Sequence, residues 1–198
     1  MIKIYRTDDQ FMNEEETIQE GVWIQMSQPT REKAMRVAEE LDIDIDDNMA
    51  ALDDEESSRI ELESGYTLIL VDIPTVEVRH DKRAYTTIPL GIILLQNMII
   101  TVCTEDTPIL HRFVKGRVKE FSTKKKMRFV YQILFRAASL YQAYLRILDK
   151  RRVEIEERIE GSTEDVDLMA LHELESTLVY FATSLRANGV VLDRLTRY

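Results

Sequence analysis

The side chains in this sequence best suited to chemistry are carboxylates, and carboxylates in number hold hard divalent cations. Residues 39 to 63, EELDIDIDDNMAALDDEESSRIELE, carry twelve acids against Arg59 alone, a local charge of −11. Magnesium can be held by one or two carboxylates while keeping its waters, so such a stretch could take it without any fixed spacing. The ordered Asp-x-Asp-x-Asp-Gly loop of a dedicated calcium site is absent. For any one of these acids the plain alternative is a solvated helix face. No catalytic constellation accompanies them. The six glycines form no phosphate loop, the single cysteine cannot make a paired-cysteine metal site, and no serine sits in a nucleophile elbow. His80, His111 and His172 are isolated from one another, and His80-Asp81, the one adjacent His-carboxylate pair, falls on a charged turn. The chain is not expected to be an enzyme, and no catalytic or cofactor-binding residue is assigned.

The acidic segment has a basic counterpart. Residues 111 to 152 hold thirteen Lys or Arg against Glu120 and Asp149, for +11, within a chain of net charge −10. Such polarity points to self-complementary assembly or to an acidic face that attracts cations. Lys124-Lys125-Lys126 could invite phosphate, but aromatic companions are few and the whole chain is acidic, so nucleic acid is not an expected partner. These lysines open a helical pattern, where the dipole disfavours positive charge, and the 39 to 63 segment is the candidate to offset them. Cys103 reads as a small buried hydrophobe in a reducing compartment. The N-terminus, MIKIYRTDDQ, lacks a cationic region followed by a long apolar one, so no secretory signal is read there and a cytosolic location is expected.

These groups must be positioned by a core, and its centre is the block from Tyr66 to Cys103. Ala84 to Thr104 runs 21 residues without a charge, long enough for a membrane-spanning helix. Pro89, Gly91, the polar pair Gln96-Asn97 and the abundance of Ile, Val, Thr and Tyr argue for strands instead. Tyr66 to Val78 and Ala84 to Leu95 then form a hairpin around the tip Arg79 to Arg83, with Met98 to Cys103 following through Gln96-Asn97. A loop centred near Asp81 and Lys82 would set Pro74 opposite Pro89, one gap in the ladder serving both.

Ahead of this block, Ile2 to Tyr5 and Val22 to Met26 read as edge strands, with Glu14 to Glu16 in a loop or strand between them. A helix is predicted from about Pro29 to Leu41 with Ser27 as a possible cap, a shorter one over Asp46 to Asp53, and a strand over Arg59 to Glu63. After Pro108 the period changes. Ile109, Leu110, Phe113 and Val114 suit a short helix. From Lys124 an apolar stripe from Met127 to Ile159 runs about ten turns, broken only at Arg151-Arg152. Gly161 is placed to end that helix, and Ser162 to Asp165 offers a capping box for the next, lined by Leu171 to Leu195. The pair predicts an antiparallel hairpin. The chain stops at Tyr198 inside this second pattern, with Gly189 as its one helix-ending signal, and truncation of a longer chain is expected.

The order of these segments resembles the cytosolic domain of the CorA-type magnesium and cobalt transporters. The likeness is carried by VWIQMSQPTREKAMRVAEEL, by MAALDDEESSRIELESGYTLILVDIP, by PLGIILLQNMIITVCTE and by the paired helices after Lys124. It implies an α/β (α+β) fold, a central mixed sheet flanked by helices over residues 1 to 122, followed over 123 to 198 by a long antiparallel helical hairpin that stops before a stalk and two membrane helices. The family's Gly-Met-Asn pore signature is absent from this chain. By the resemblance, the chain is the regulatory portion of a Mg2+ or Co2+ channel at the cytoplasmic face of the membrane. Five copies would assemble in the full-length protein and sense intracellular Mg2+ through carboxylates at their contacts, so that low-affinity Mg2+ gates the pore. Counting from Tyr66, the matching metal position is nearest Glu77, with Asp81 on the adjoining tip. Asp72 is a third option, although it shares a strand face with Leu68 and Leu70, where a local partner is expected. A zinc-transporting branch of the same family, and a soluble scaffold that dimerises through the hairpin without metal, are the alternatives.

Overall fold

The computed structural model describes residues 1–8, 11–79, 82–161 and 165–197. In chain order the elements are β1 (Ile2–Asp8), β2 (Phe11–Glu15), β3 (Trp23–Ser27), α1 (Arg31–Leu41), α2 (Ile45–Met49) with a 3-10 turn at Ala50–Leu52, β4 (Arg59–Leu62), β5 (Tyr66–Arg79), β6 (Lys82–Leu95), β7 (Ile99–Cys103), α3 (Pro108–Val114), α4 (Lys126–Gly161) and α5 (Asp165–Leu195). The described strands form one sheet in the order β2-β1-β3-β7-β6-β5-β4. All neighbours are antiparallel except β3 and β7, so the sheet is mixed, as expected. Among the described residues, no helix is long and apolar enough to cross a membrane.

The uncharged run is apolar because the sheet is covered on both faces. Ile69, Val71 and Ile73 of β5 pack with α3, α4 and the end of α5, while Tyr66, Leu68 and Leu70 pack with α1, Ile43 and the 3-10 turn. Successive side chains of one strand thus enter different layers. The first layer is centred on Trp23, whose ring meets Tyr5, Phe113, Phe121 and Phe129 at centroid distances of 5.2, 6.4, 6.2 and 5.0 Å. Its indole N–H donates to Thr101 Oγ1 at 2.9 Å, so the buried polar atom is satisfied. The second layer depends on Gly91: a Cβ there would lie 2.9 Å from the Ala51 Cβ, so only glycine lets the 3-10 turn settle on β6.

Several expectations shift. Ile2 to Tyr5 and Val22 to Met26 are not edge strands. β2 takes the edge beside β1, and β3 lies inside the sheet, buried along its whole length against β1 and the parallel β7. A strand buried on both faces loses the polar alternation that would mark it, and its polar residues Gln25 and Ser27 hydrogen-bond each other at 3.2 Å. The cap of α1 is Thr30, which accepts from the Lys33 N–H, rather than Ser27. Asp44 caps α2, with Asp46 and Asp47 in its first turn.

The central hairpin is tighter than expected, and its centre lies one residue earlier in the chain. Arg79 pairs with Lys82, which slides the register so that Pro89 faces Asp72 and Pro74 faces Thr87. The prolines therefore do not share one gap. The Asp72 N–H points away from β6, donating to Asn188, and every second residue shares that direction. Pro74 and Pro89 fall in these non-hydrogen-bonded pairs, and β4 and β7 pair no further than Leu70 and Leu90, so neither proline removes a ladder hydrogen bond.

The hairpin end beyond β4 and β7 rests on α4 and α5, which run antiparallel: Tyr131 donates to the Leu195 carbonyl at 3.0 Å, and the Tyr141 and Phe181 rings meet edge-on at 5.0 Å. Tyr85 and Val76, a cross-strand pair, join Tyr141, Leu148, Leu174 and Phe181 in this cluster. The Arg151-Arg152 step does not break α4. Arg151 lies over the Tyr85 ring at 5.4 Å and donates to the Arg83 carbonyl, while Arg152 pairs with Asp149 and Glu156. Gly189 does not end α5. The capping residues Ser162 to Glu164 lie outside the described residues.

The expected offset of the basic run is not made by the acidic segment. Among the described residues, the ammonium of Lys126 donates to the carbonyls of Leu95 and Gln96, and Arg128 pairs with Glu120 at 3.0 Å. Carbonyl oxygens of the β6–β7 turn thus stabilise the charge at the start of α4, and partial burial of Lys126 lowers its pKa.

Candidate metal centre

Of the carboxylates singled out from the sequence, Asp72 and Glu77 sit on the central hairpin. Asp81 lies outside the described residues. Glu77 is half-buried on β5, and Asp72 lies five positions before it, roughly 17 Å along the strand at 3.3 Å per residue. That separation is too long for one ion to bridge Asp72 and Glu77 of the same chain. Asp72 has local partners, as its neighbours suggested. Asn188 and Tyr141 occupy its backbone groups, and burial holds its carboxyl above the usual range, with the Ser184 and Ser58 hydroxyls acting the other way.

Within one chain, the described residues bring three metal-ligating side chains together elsewhere. One carboxylate oxygen from each of Asp47, Glu61 and Glu63 lies within 4.8 Å of the others. Local chemistry explains the convergence. Asp47 sits in the first turn of α2, where the helix N-terminus favours an acid. Glu61 and Glu63 are two apart at the end of β4, so they share a strand face. A tight turn through Gly65, at φ +98°, returns the chain to β5, with the Glu63 N–H donating to the Tyr66 carbonyl.

Tyr66 locks this corner. Its hydroxyl donates to Asp47 Oδ2 at 2.6 Å and accepts the Asp44 N–H at 3.2 Å. Burial, and then the bond to Asp47, push the phenol up to about 12. Arg59 partly compensates the cluster through Glu61 at 3.0 Å, and it also pairs with Glu56. The donor set is all oxygen, half-buried at Asp47 and Glu61 and open at Glu63, which suits a hard divalent ion that keeps several waters. The sequence marked 39 to 63 as acidic without showing which acids meet. The i, i+2 spacing of Glu61 and Glu63 was the one available signal.

Other reactive groups have structural surroundings. Cys103 is buried, with its thiol pushed up to about 11 by burial and directed at the Pro89 carbonyl at 3.7 Å. His172 stands exposed on α5 beside Glu175 at 3.8 Å.

With this geometry established, three comparisons agree. The family model described as CorA-like Mg2+ transporter protein matches residues 19–198. A curated relative, the cobalt/magnesium transport protein CorA of Methanocaldococcus jannaschii, is 27% identical over 185 residues, covering 89% of this chain and 55% of the relative. The chain therefore spans little more than half the length of the curated relative it matches. Among solved structures, the complete CorA magnesium transporter of M. jannaschii superposes with a TM-score of 0.85 at 23% identity, covering 100% of this chain and 63% of that one. The soluble domain of the same protein gives 0.84 at 23%, covering 97% and 77%. The ZntB cytoplasmic domain of Vibrio parahaemolyticus gives 0.70 at 12%, covering 98% and 78%. The family is one of ion transporters, in keeping with the expectation that this is no enzyme. By the match across residues 19–198, the chain belongs to the CorA-like Mg2+ transporter protein family.

Proposed function

We propose that this chain is the regulatory, cytoplasmic-face portion of a divalent-cation channel of Mg2+ and Co2+ type. In this reading it senses Mg2+ by carboxylates and gates a pore formed by membrane segments outside these residues. The observation that carries the reading is the likeness of the whole chain, sheet and helical hairpin together, to the soluble part of a CorA transporter. In the full-length protein, five copies would meet around the pore axis.

The physics of sensing follows from charge. Acidic faces brought together repel, a divalent ion bound between them removes the repulsion, and its loss at low Mg2+ favours the separated, open arrangement. At roughly 17 Å apart, Asp72 and Glu77 of one chain cannot share an ion, and in this reading a neighbouring chain supplies the further carboxylates. Glu77, with Asp81 on the tip, is assigned to that contact, and Asp72 is the third option. The Asp47, Glu61 and Glu63 cluster offers a further Mg2+ position within one chain. A low-affinity site makes the response follow millimolar changes in concentration.

The test is calorimetric titration of the full-length protein with Mg2+, alongside its mass in solution and ion flux into vesicles. Saturable millimolar binding that lowers flux, weakened by Glu77→Gln, is expected. Flux that is indifferent to Mg2+ on the domain side would sink the sensing role, and flux of Zn2+ in preference to Mg2+ would move the protein to the zinc-transporting branch. The observed likeness to the CorA soluble domain, at TM-score 0.84 against 0.70 for the ZntB domain, favours the first.

A further inference from the structure

The first turns of α4 and the segment leading into them border an open groove of about 620 Å³. Its lining is unusual for this acidic protein. Arg117 and Lys119 stand on one wall, Arg128 and Arg136 on the other. Arg128 is partly compensated by Glu120 at 3.0 Å, and the stretch from 111 to 152 contains one further acid, Asp149, well along α4. The unused positive charge faces into one concavity.

Aromatic surface accompanies the charge. Phe135 is 65% exposed and Tyr131 36%, one turn apart on α4, and both line the groove. Arg136 lies over the Phe135 ring at 5.8 Å, which holds the ring in place and leaves its other face open. An exposed phenylalanine among four cations has no role in the fold, since it joins none of the hydrophobic clusters. Gln132 sits between the two walls. Its amide nitrogen donates to the Lys119 carbonyl at 3.0 Å, which ties the two walls together, and its Oε1 is buried away from the groove's opening.

Each feature selects part of a ligand. Guanidinium and ammonium groups recognise phosphate oxygens. An open aromatic face takes a planar ring.

We infer that this groove binds a nucleoside polyphosphate, with the phosphates between Arg117, Lys119 and Arg128 and the base on Phe135. The inference is independent of the transport reading, since it concerns a different face and an anion rather than a cation. Its failure would leave the Mg2+ site untouched.

The experiment is calorimetric titration of the 198-residue chain in Mg2+-free buffer with ADP, tripolyphosphate and adenosine as separate probes. One-to-one ADP binding is expected, with tripolyphosphate weaker and adenosine weaker still. Arg117→Ala should weaken ADP and tripolyphosphate alike by about tenfold, the worth of a charge-assisted contact. Phe135→Ala should weaken ADP by about fivefold or more and leave tripolyphosphate unchanged. Both side chains are exposed, and thermal melts of the variants confirm folding. Absence of saturable ADP binding overturns the proposal, as does an unaltered ADP affinity in Phe135→Ala. Salt-sensitive self-association abolished by Arg117→Ala, without ADP binding, would assign the groove to the acidic face of a second copy and also overturn it.

Discussion

The side-chain amide of Asn188 on α5 hydrogen-bonds both backbone groups of Asp72 on β5: the Asp72 N–H donates to Oδ1 at 2.9 Å, and Nδ2 donates to the Asp72 carbonyl at 2.7 Å. β4 stops pairing opposite Leu70, so the amide takes the place of the strand that would otherwise continue there. Ser58 donates to the same Oδ1 at 3.0 Å and Tyr141 to the same carbonyl at 3.1 Å. One residue of β5 is thereby tied to both helices of the hairpin.

Asn188→Ala leaves a partly buried strand N–H without its acceptor. The expected loss is about 1–3 kcal/mol, read as a lower urea midpoint and a melting temperature lower by roughly 2–4 °C for each kcal/mol. The single tryptophan, Trp23, buried in the layer beneath α4, reports global unfolding by fluorescence. An unchanged midpoint would mean that water replaces the amide at no cost.

Asp72 gives a pH dependence with a definite sign. Burial raises its pKa above 3.8, so the native state binds that proton more tightly than the unfolded chain. Its contribution to stability is greatest below the unfolded value and is lost as pH rises through the raised native value. Asp72→Asn should therefore melt higher than wild type at neutral pH, with the difference closing as pH falls toward 3.8. A variant that melts lower at neutral pH would show that the ionised carboxylate is stabilising.

Two glycines should respond oppositely to alanine. Gly189 lies within α5 with nothing within 4 Å of an added Cβ, so Gly189→Ala should stabilise by about 0.5–1 kcal/mol. Gly91 meets the Ala51 Cβ at 2.9 Å, and Gly91→Ala should cost about 1–3 kcal/mol by forcing the 3-10 turn off the sheet. Chemical denaturation of both variants decides, and equal effects would contradict the packing described.

The Asp47, Glu61 and Glu63 cluster predicts a divalent effect on stability. With a dissociation constant of about 1 mM, 10 mM Mg2+ stabilises by about 1.4 kcal/mol, and EDTA reverses it. Glu63→Gln removes the exposed carboxylate, so it should melt higher than wild type in low salt with EDTA and lose most of the Mg2+ shift. A full Mg2+ shift in that variant would place the ion elsewhere.

Much of the architecture was legible because short-range pattern carries it. The β5–β6 hairpin showed in the strand formers and the charged tip, and the α4–α5 pair showed in leucines and aromatics at helical spacing. β3 was misplaced to an edge because VWIQM is short and its neighbours lie far away in sequence, so nothing local tells a strand flanked by two others from one flanked by one. Pro74 and Pro89 were wrongly set opposite because moving the centre of a turn by one residue shifts every pairing along both strands by two.

The candidate site divides in the same way. The sequence by itself determined that residues 39 to 63 are acidic, that 111 to 152 are basic, that the central block is apolar on both faces, and that the segments follow the order of one family. Only the tertiary structure decided that Asp47 meets Glu61 and Glu63, that carbonyls of Leu95 and Gln96 rather than acids receive Lys126, and that Asn188 completes β5 beside Asp72. Charge and periodicity are properties of a segment and survive reading in one dimension. A hydrogen bond between residues 116 positions apart exists only once the sheet and both helices have packed, because that packing sets the distance between them.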